Sequence, residues 1–132
     1  GADRLGFSNI KPLCNDASQY NKALGEFDRV ICDVPCSGLG VIRRKPEIKY
    51  KKIADYADLP KIQFDILSAS ANYLKREGIL IYSTCTVRCA ENEDVVSKFL
   101  SENKEFELIK SQTLSPKQNG TDGFFYSVLK RK

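Results

Sequence analysis

The sequence has no apolar run near the ~20 residues that a membrane-spanning helix needs. Its opening stretch, GADRLGFSNI, lacks the charged-then-apolar layout of a secretory signal. A soluble protein working in the cytoplasm, with no membrane partner, is therefore expected. Histidine is also absent, so the formal net charge of +4 rests on 21 lysines and arginines against 17 acids. That balance is too mild to name a partner by its total, and the distribution of charge has to be read instead. Five cysteines are an odd number, and without an export signal they are expected to be reduced thiols rather than a disulfide framework. No internal repeat or low-complexity tract appears. Eight glycines, five prolines and an apolar fraction of 42% exclude the collagen-like and disordered classes. The 132 residues suffice for one domain with one core.

What is present is an alternation of short apolar runs with longer helical patterns, which predicts an α/β fold with a mostly parallel sheet. NIKPLCND (9–16) predicts a weak strand, confined to an edge by Pro12. FDRVICDV (27–34) predicts a central strand, because Val30, Ile31, Cys32 and Val34 are apolar on both faces. LPKIQFDILSASANYLKRE (59–77) predicts a helix with Asp58 as N-cap, Pro60 in the first turn, Lys75 and Arg76 in the last, and Gly78 as its stop. ILIYSTCT (79–86) predicts a second buried strand. AENEDVVSKFLSEN (90–103) predicts a helix with Val95, Val96, Phe99 and Leu100 inward. FELIK (106–110) and FFYSVLKR (124–131) predict a closing pair of strands.

Ligands of open parallel sheets bind beyond the carboxyl ends of the strands. Three segments bring reactive groups to that edge: Asp16 after the first strand, Asp33 to Gly38 after the second, and Ser83 to Thr86 after the third. Cys36 alone reads as a small hydrophobe in a turn where Gly38 and Gly40 supply positive φ angles. Together with Cys85 it reads differently, because neighbouring strands lie about 5 Å apart. Two thiols and a carboxylate in one pocket suit nucleophilic chemistry on a pyrimidine. A thiolate that adds to carbon 6 makes carbon 5 an enamine nucleophile, an acid near nitrogen 3 assists the addition, and a base later removes the carbon 5 proton. Arg43, Arg44, Lys45, Lys49, Lys51 and Lys52 surround a single acid, Glu47, with Tyr50 interleaved. Beside a base-modifying pocket such a run is expected to hold phosphates.

The stretches DVPCSGLGVIRRKPEIK (33–49), STCT (83–86), NDA (15–17) and DGFFYSVLKR (122–131) resemble the RNA cytosine-C5 methyltransferases of the Sun/NOL1/NOP2 group, and among them the members acting on small-subunit (16S) ribosomal RNA. The resemblance implies a Rossmann-like class I fold, dependent on S-adenosylmethionine, with an antiparallel last strand. It implies Cys85 as the nucleophile that adds to carbon 6 and Cys36 as the cysteine that assists release. Asp33 would stand beside donor and target base, Pro35 would contact the base, and Asp16 would stand beside the adenosine. The residues alone leave open which cysteine attacks. Arg43, Arg44 and Lys45 are the phosphate-binding candidates of the basic run.

No Asp-x-Cys-Ala-Ala-Pro-Gly-Gly-Lys-like stretch is present, so residues 1–132 are expected to be a partial catalytic domain without the first cofactor-binding strands and their glycine-rich loop. Gly1 and Ala2 read as an appended pair. The piece alone is expected to be inactive, with weak or no binding of S-adenosylmethionine. Its VICDV strand would carry an unpaired edge, closed either by IKPLC or by self-association with a second copy. Two alternatives compete: a zinc module using Cys32, Cys36, Cys85 and Cys89, and a noncatalytic RNA-binding module using the basic run. No metal is expected on the main reading.

Overall fold

A computed structural model describes residues 3–132; Gly1 and Ala2 lie outside the described residues. The chain builds one four-stranded sheet from β1 (Phe27–Asp33), β2 (Leu74–Thr84), β3 (Phe106–Leu114) and β4 (Phe124–Arg131), in the order β1-β2-β4-β3. β1 and β2 are parallel, with Ile31 opposite Ile81 and Asp33 opposite Ser83. β4 runs antiparallel to both β2 and β3. Three strands thus share one direction and the last is reversed, as the resemblance implied.

Helices α1 (Leu59–Ala71) and α2 (Glu93–Glu102) supply the cover for the sheet. Alternation along the strands turns Cys32, Leu80, Tyr82, Phe125 and Leu129 into the same core as Leu67 and Ala71 of α1 and Val95, Val96 and Phe99 of α2. Burying each large apolar side chain of this kind stabilises the fold by roughly 1.5–3 kcal/mol. The inward stripe expected of α2 is therefore present, with Leu100 partly buried beside it.

Six expectations need correction. Residues 9–16 form no strand: Ile10 and Leu13 are exposed, and Pro12 offers no N–H to a ladder. VICDV is accordingly an edge strand rather than a central one. Its Cys32 face is buried, whereas Ile31 on the other face is 72% exposed. IKPLC does not close that edge.

The first helix ends at Ala71, not Glu77, because the Asn72 side chain donates to the Ser68 carbonyl (2.8 Å) and ends the repeat. Leu74 to Glu77 belong to β2, where Lys75 pairs with Asp28 on β1. Gly78 lies inside that strand, not at a helix end; a Cβ there would come within 2.7 Å of Leu74 Cγ. Finally, Asp58 occupies the N-cap position of α1 without making a side-chain capping bond, while Pro60 does sit in the first turn.

Candidate active site

β1 and β2 end side by side, and the chain leaves each of them into a cysteine. Asp33 closes β1, and Pro35 and Cys36 follow; Thr84 closes β2, and Cys85 follows. The parallel register carries the exit loops along together, since the Val34 N–H donates to the Ser83 carbonyl (3.2 Å) and the Gly40 N–H to the Cys85 carbonyl (3.0 Å). The result is a thiol pair: Cys36 Sγ and Cys85 Sγ lie 3.1 Å apart, both half-buried. The next residue on each side repeats the pairing, with Ser37 Oγ 2.8 Å from Thr86 Oγ1.

Burial, and secondarily the hydrogen bond with Cys85, push the Cys36 thiol up to about 12. Cys36 therefore keeps its proton at neutral pH, and an S–H hydrogen bond that either sulfur can donate joins it to Cys85.

Both thiols open into a cleft of about 260 Å³ lined also by Ser37, Gly38, Ile48, Lys45 and Lys51. Gly38 has a positive φ of 72°, which glycine adopts without strain. Gly40 does not, contrary to expectation. Its requirement is space, because a Cβ there would stand 2.7 Å from the Cys85 carbonyl oxygen and inside contact distance of the Gly123 carbonyl. Gly123, in the β3–β4 connection, donates its N–H to the Gly40 carbonyl (2.8 Å), so the last hairpin closes against the Pro-Cys loop.

The other candidates are placed as follows. Asp33 is exposed at the end of β1, its carboxylate accepting from Ser83 Oγ (2.9 Å). Asp16 is exposed in an irregular turn, where hydrogen bonds from the Ser18 hydroxyl and N–H hold its carboxyl below the usual range. Pro35 follows β1, and its carbonyl accepts from Gln63 (2.9 Å). Lys45 lines the thiol cleft. Arg43 and Arg44 do not; both reach the carboxylate of Asp122, with their own side chains 71% exposed. Lys51 joins Lys45 in the cleft, a placement the charge run alone did not single out.

Exposed carboxylates at Asp33 and Asp16 fit the hydroxyl and ammonium groups and the sulfonium charge of S-adenosylmethionine. A zinc site does not fit the thiols. Cys32 lies in the core with its sulfur 3.3 Å from Ser70 Oγ, Cys89 is exposed, and no group of three or more metal-ligating side chains occurs among the described residues. No helix among those residues is long and apolar enough to cross a membrane. Sequence reasoning also passed over Glu91 and Asn92, both fully buried, because they read as ordinary polar residues near the start of α2. Their one signal was position, a few residues beyond Cys85.

The same arrangement of chain occurs in known proteins. The "Probable ribosomal RNA small subunit methyltransferase B" of Bacillus subtilis (strain 168) is 39% identical over 151 residues, covering 99% of this chain and 34% of its own length. The ribosomal RNA small subunit methyltransferase B of Photorhabdus laumondii is 40% identical, over 81% of this chain and 27% of its own. The chain thus spans about a third of the length of these curated relatives. Among solved structures, NSun6 from Pyrococcus horikoshii with SFG superposes with a TM-score of 0.84 at 28% identity, covering 98% of this chain and 36% of that one. A family model described as "16S rRNA methyltransferase RsmB/F" matches residues 1–130, and with two sulfurs 3.1 Å apart at the ends of parallel strands, the chain belongs to that family.

Proposed function

We propose that this chain is part of the catalytic domain of a cytoplasmic methyltransferase that acts on carbon 5 of a cytosine in small-subunit ribosomal RNA. The observation that carries the reading is the thiol pair, Cys36 Sγ and Cys85 Sγ 3.1 Å apart where two parallel strands end and opening into one cleft. S-adenosylmethionine, when bound, supplies an electrophilic methyl group, and Asp33 and Asp16 are the residues of this chain that would hold it. The Cys85 thiolate forms a bond from its sulfur to carbon 6 of the base, and the ring electrons displaced by that bond gather at carbon 5, the atom that takes the methyl group. Asp33, beside the base, assists through nitrogen 3, and Pro35 contributes main-chain contact. After the carbon 5 proton is lost to a base, the bond between carbon 6 and Cys85 breaks and its electron pair returns to sulfur. Cys36 stabilises that departing thiolate by donating its S–H hydrogen bond. The cleft is near the low end of the roughly 300–1,000 Å³ typical of small-ligand sites, a size for one flipped base.

Lys45 and Lys51 at the cleft, with Arg43 and Arg44 outside it, supply cations for the flanking phosphates. On RNA containing 5-fluorocytidine, the carbon 5 fluorine cannot leave as a proton does, so full-length protein carrying this chain becomes trapped as a covalent adduct. Loss of the adduct on Cys85→Ala is expected, and its persistence would reject the assignment.

The chain by itself has no glycine-rich donor loop, and S-adenosylmethionine binds it weakly or not at all. Calorimetry that finds micromolar affinity would overturn this. The free edge of β1, with Ile31 exposed beside it, is the surface for self-association of the isolated chain. Sedimentation that finds only monomer at high concentration would dismiss it.

A further inference from the structure

We infer that the consecutive residues Glu91 and Asn92 are positioning residues that fix both thiols from a single point in the chain, an inference that rests on the two-cysteine reading above. Both are fully buried, and each reaches the two neighbours of one cysteine, Asn92 directly and Glu91 in part through Gln63. Glu91 serves Cys36. Its Oε2 accepts from the Ser37 N–H (2.8 Å) and from the Gln63 amide (3.0 Å), and that same amide donates to the Pro35 carbonyl (2.9 Å). Asn92 serves Cys85. Its Oδ1 accepts from the Thr84 hydroxyl (2.6 Å), and its amide donates to the Thr86 carbonyl (3.1 Å). The Ser37 to Thr86 hydroxyl pair then joins the two loops directly.

The clamp is itself anchored. The second oxygen of Glu91 accepts from Arg88 (3.0 Å), and the Tyr82 hydroxyl, rooted in the core of β2, donates to the Glu91 carbonyl. A carboxylate hidden from water is costly unless its oxygens are satisfied, and a well-packed apolar residue often serves stability as well or better. What an apolar residue could not do is accept from the backbone beside one cysteine while its chain neighbour grips a hydroxyl on one side of the other and a carbonyl on the far side. The polar pair therefore acts on geometry. Neither residue touches the reacting atoms, so the effect passes through the loops to the sulfurs.

The test uses full-length protein and two near-isosteric changes. Glu91→Gln puts an NH2 group against donors, and Thr86→Val removes the inter-loop hydroxyl bond, with Thr86→Ser as the conservative rescue. Two readouts are taken at a temperature where circular dichroism shows each variant folded. One is kcat and KM for RNA. The other is the rate at which diamide, accepting two electrons and two protons, joins Cys36 to Cys85, mapped by mass spectrometry. Because a misplacement of about 1 Å costs on the order of 100-fold, kcat is expected to fall about tenfold or more with KM unchanged. Cross-linking slows in parallel, and Thr86→Ser restores both. Wild-type cross-linking in either folded variant overturns the inference, as does a fall in kcat with cross-linking intact. Should Glu91→Gln fail to fold, Asn92→Asp, which keeps the acceptor for the Thr84 hydroxyl and loses the donor to the Thr86 carbonyl, decides by the same criteria. Failure of the two-cysteine reading would appear separately, as methylation that survives Cys85→Ala while the cross-linking results stand.

Discussion

Replacing Gly40 with alanine tests the assembly of the site with a single methyl group. The added Cβ would lie 2.6 Å from the Gly123 carbonyl carbon and 2.7 Å from the Cys85 carbonyl oxygen, and both neighbours are backbone, which no rotamer change can move aside. Relief requires the three segments to part, which breaks the Gly40 to Cys85 and Gly123 to Gly40 hydrogen bonds. Overpacking of this kind costs roughly 1–3 kcal/mol, and each of the two lost bonds about 1 kcal/mol, so a total of about 3–5 kcal/mol is expected. With a urea m-value of about 2 kcal/mol/M, the unfolding midpoint drops by about 1.5–2.5 M. Equilibrium urea unfolding of full-length protein, followed by circular dichroism, measures the drop. Gly25→Ala serves as comparison, because its added Cβ meets nothing within 4 Å and only its positive φ is strained. A midpoint for Gly40→Ala equal to that of Gly25→Ala would refute the claim that backbone contact between these segments holds the thiol loops in place.

Three further outcomes are expected. Burial raises the Cys32 thiol from its ordinary 9.0 to about 11, so the unfolded chain loses this proton before the folded one does. Stability is then fully kept below pH 9 and falls by about 3 kcal/mol as pH rises through 11; urea unfolding under reducing conditions should show that alkaline loss diminished in Cys32→Ala. Asp122→Asn frees Arg43 and Arg44, and since each of these two exposed ion pairs is worth at most about 1 kcal/mol, RNA binding by full-length protein should tighten less than about thirtyfold with a steeper salt dependence. Alanine at Arg43, Arg44 and Lys45 together should weaken binding and flatten the salt slope by about 2, from ~0.7 per single-strand phosphate contact; a filter-binding titration against salt with an unchanged slope would refute the phosphate role.

The thiol pair was legible because parallel strands leave little freedom at their carboxyl ends: two cysteines that each follow such a strand must emerge side by side. The reversed last strand was legible only through resemblance. The end of α1 was not, since Leu74 satisfies the helical period and is equally well buried as the first residue of β2. The partner of Arg43 lies 79 residues away, beyond any local pattern, which is why a free basic run was read where two of the six cations are paired with Asp122. Gly40 was read as a turn residue because sequence shows a missing side chain without showing what presses against it. Glu91 and Asn92 were missed for a related reason: an acid and an amide near a helix start look solvated until the loops they grip are seen.

β4 is synthesised after β3 yet lies between β3 and β2 in the sheet. While residues 123–131 are still missing from a growing chain, β3 has no partner at that position, and Gly123 is not there to close on the Pro-Cys loop. Non-local pairing of this sort is slow to form. Cys36 and Cys85 thus acquire their final backing late in biogenesis, so a prematurely terminated polypeptide would carry both sulfurs on loops without the brace that the finished hairpin provides.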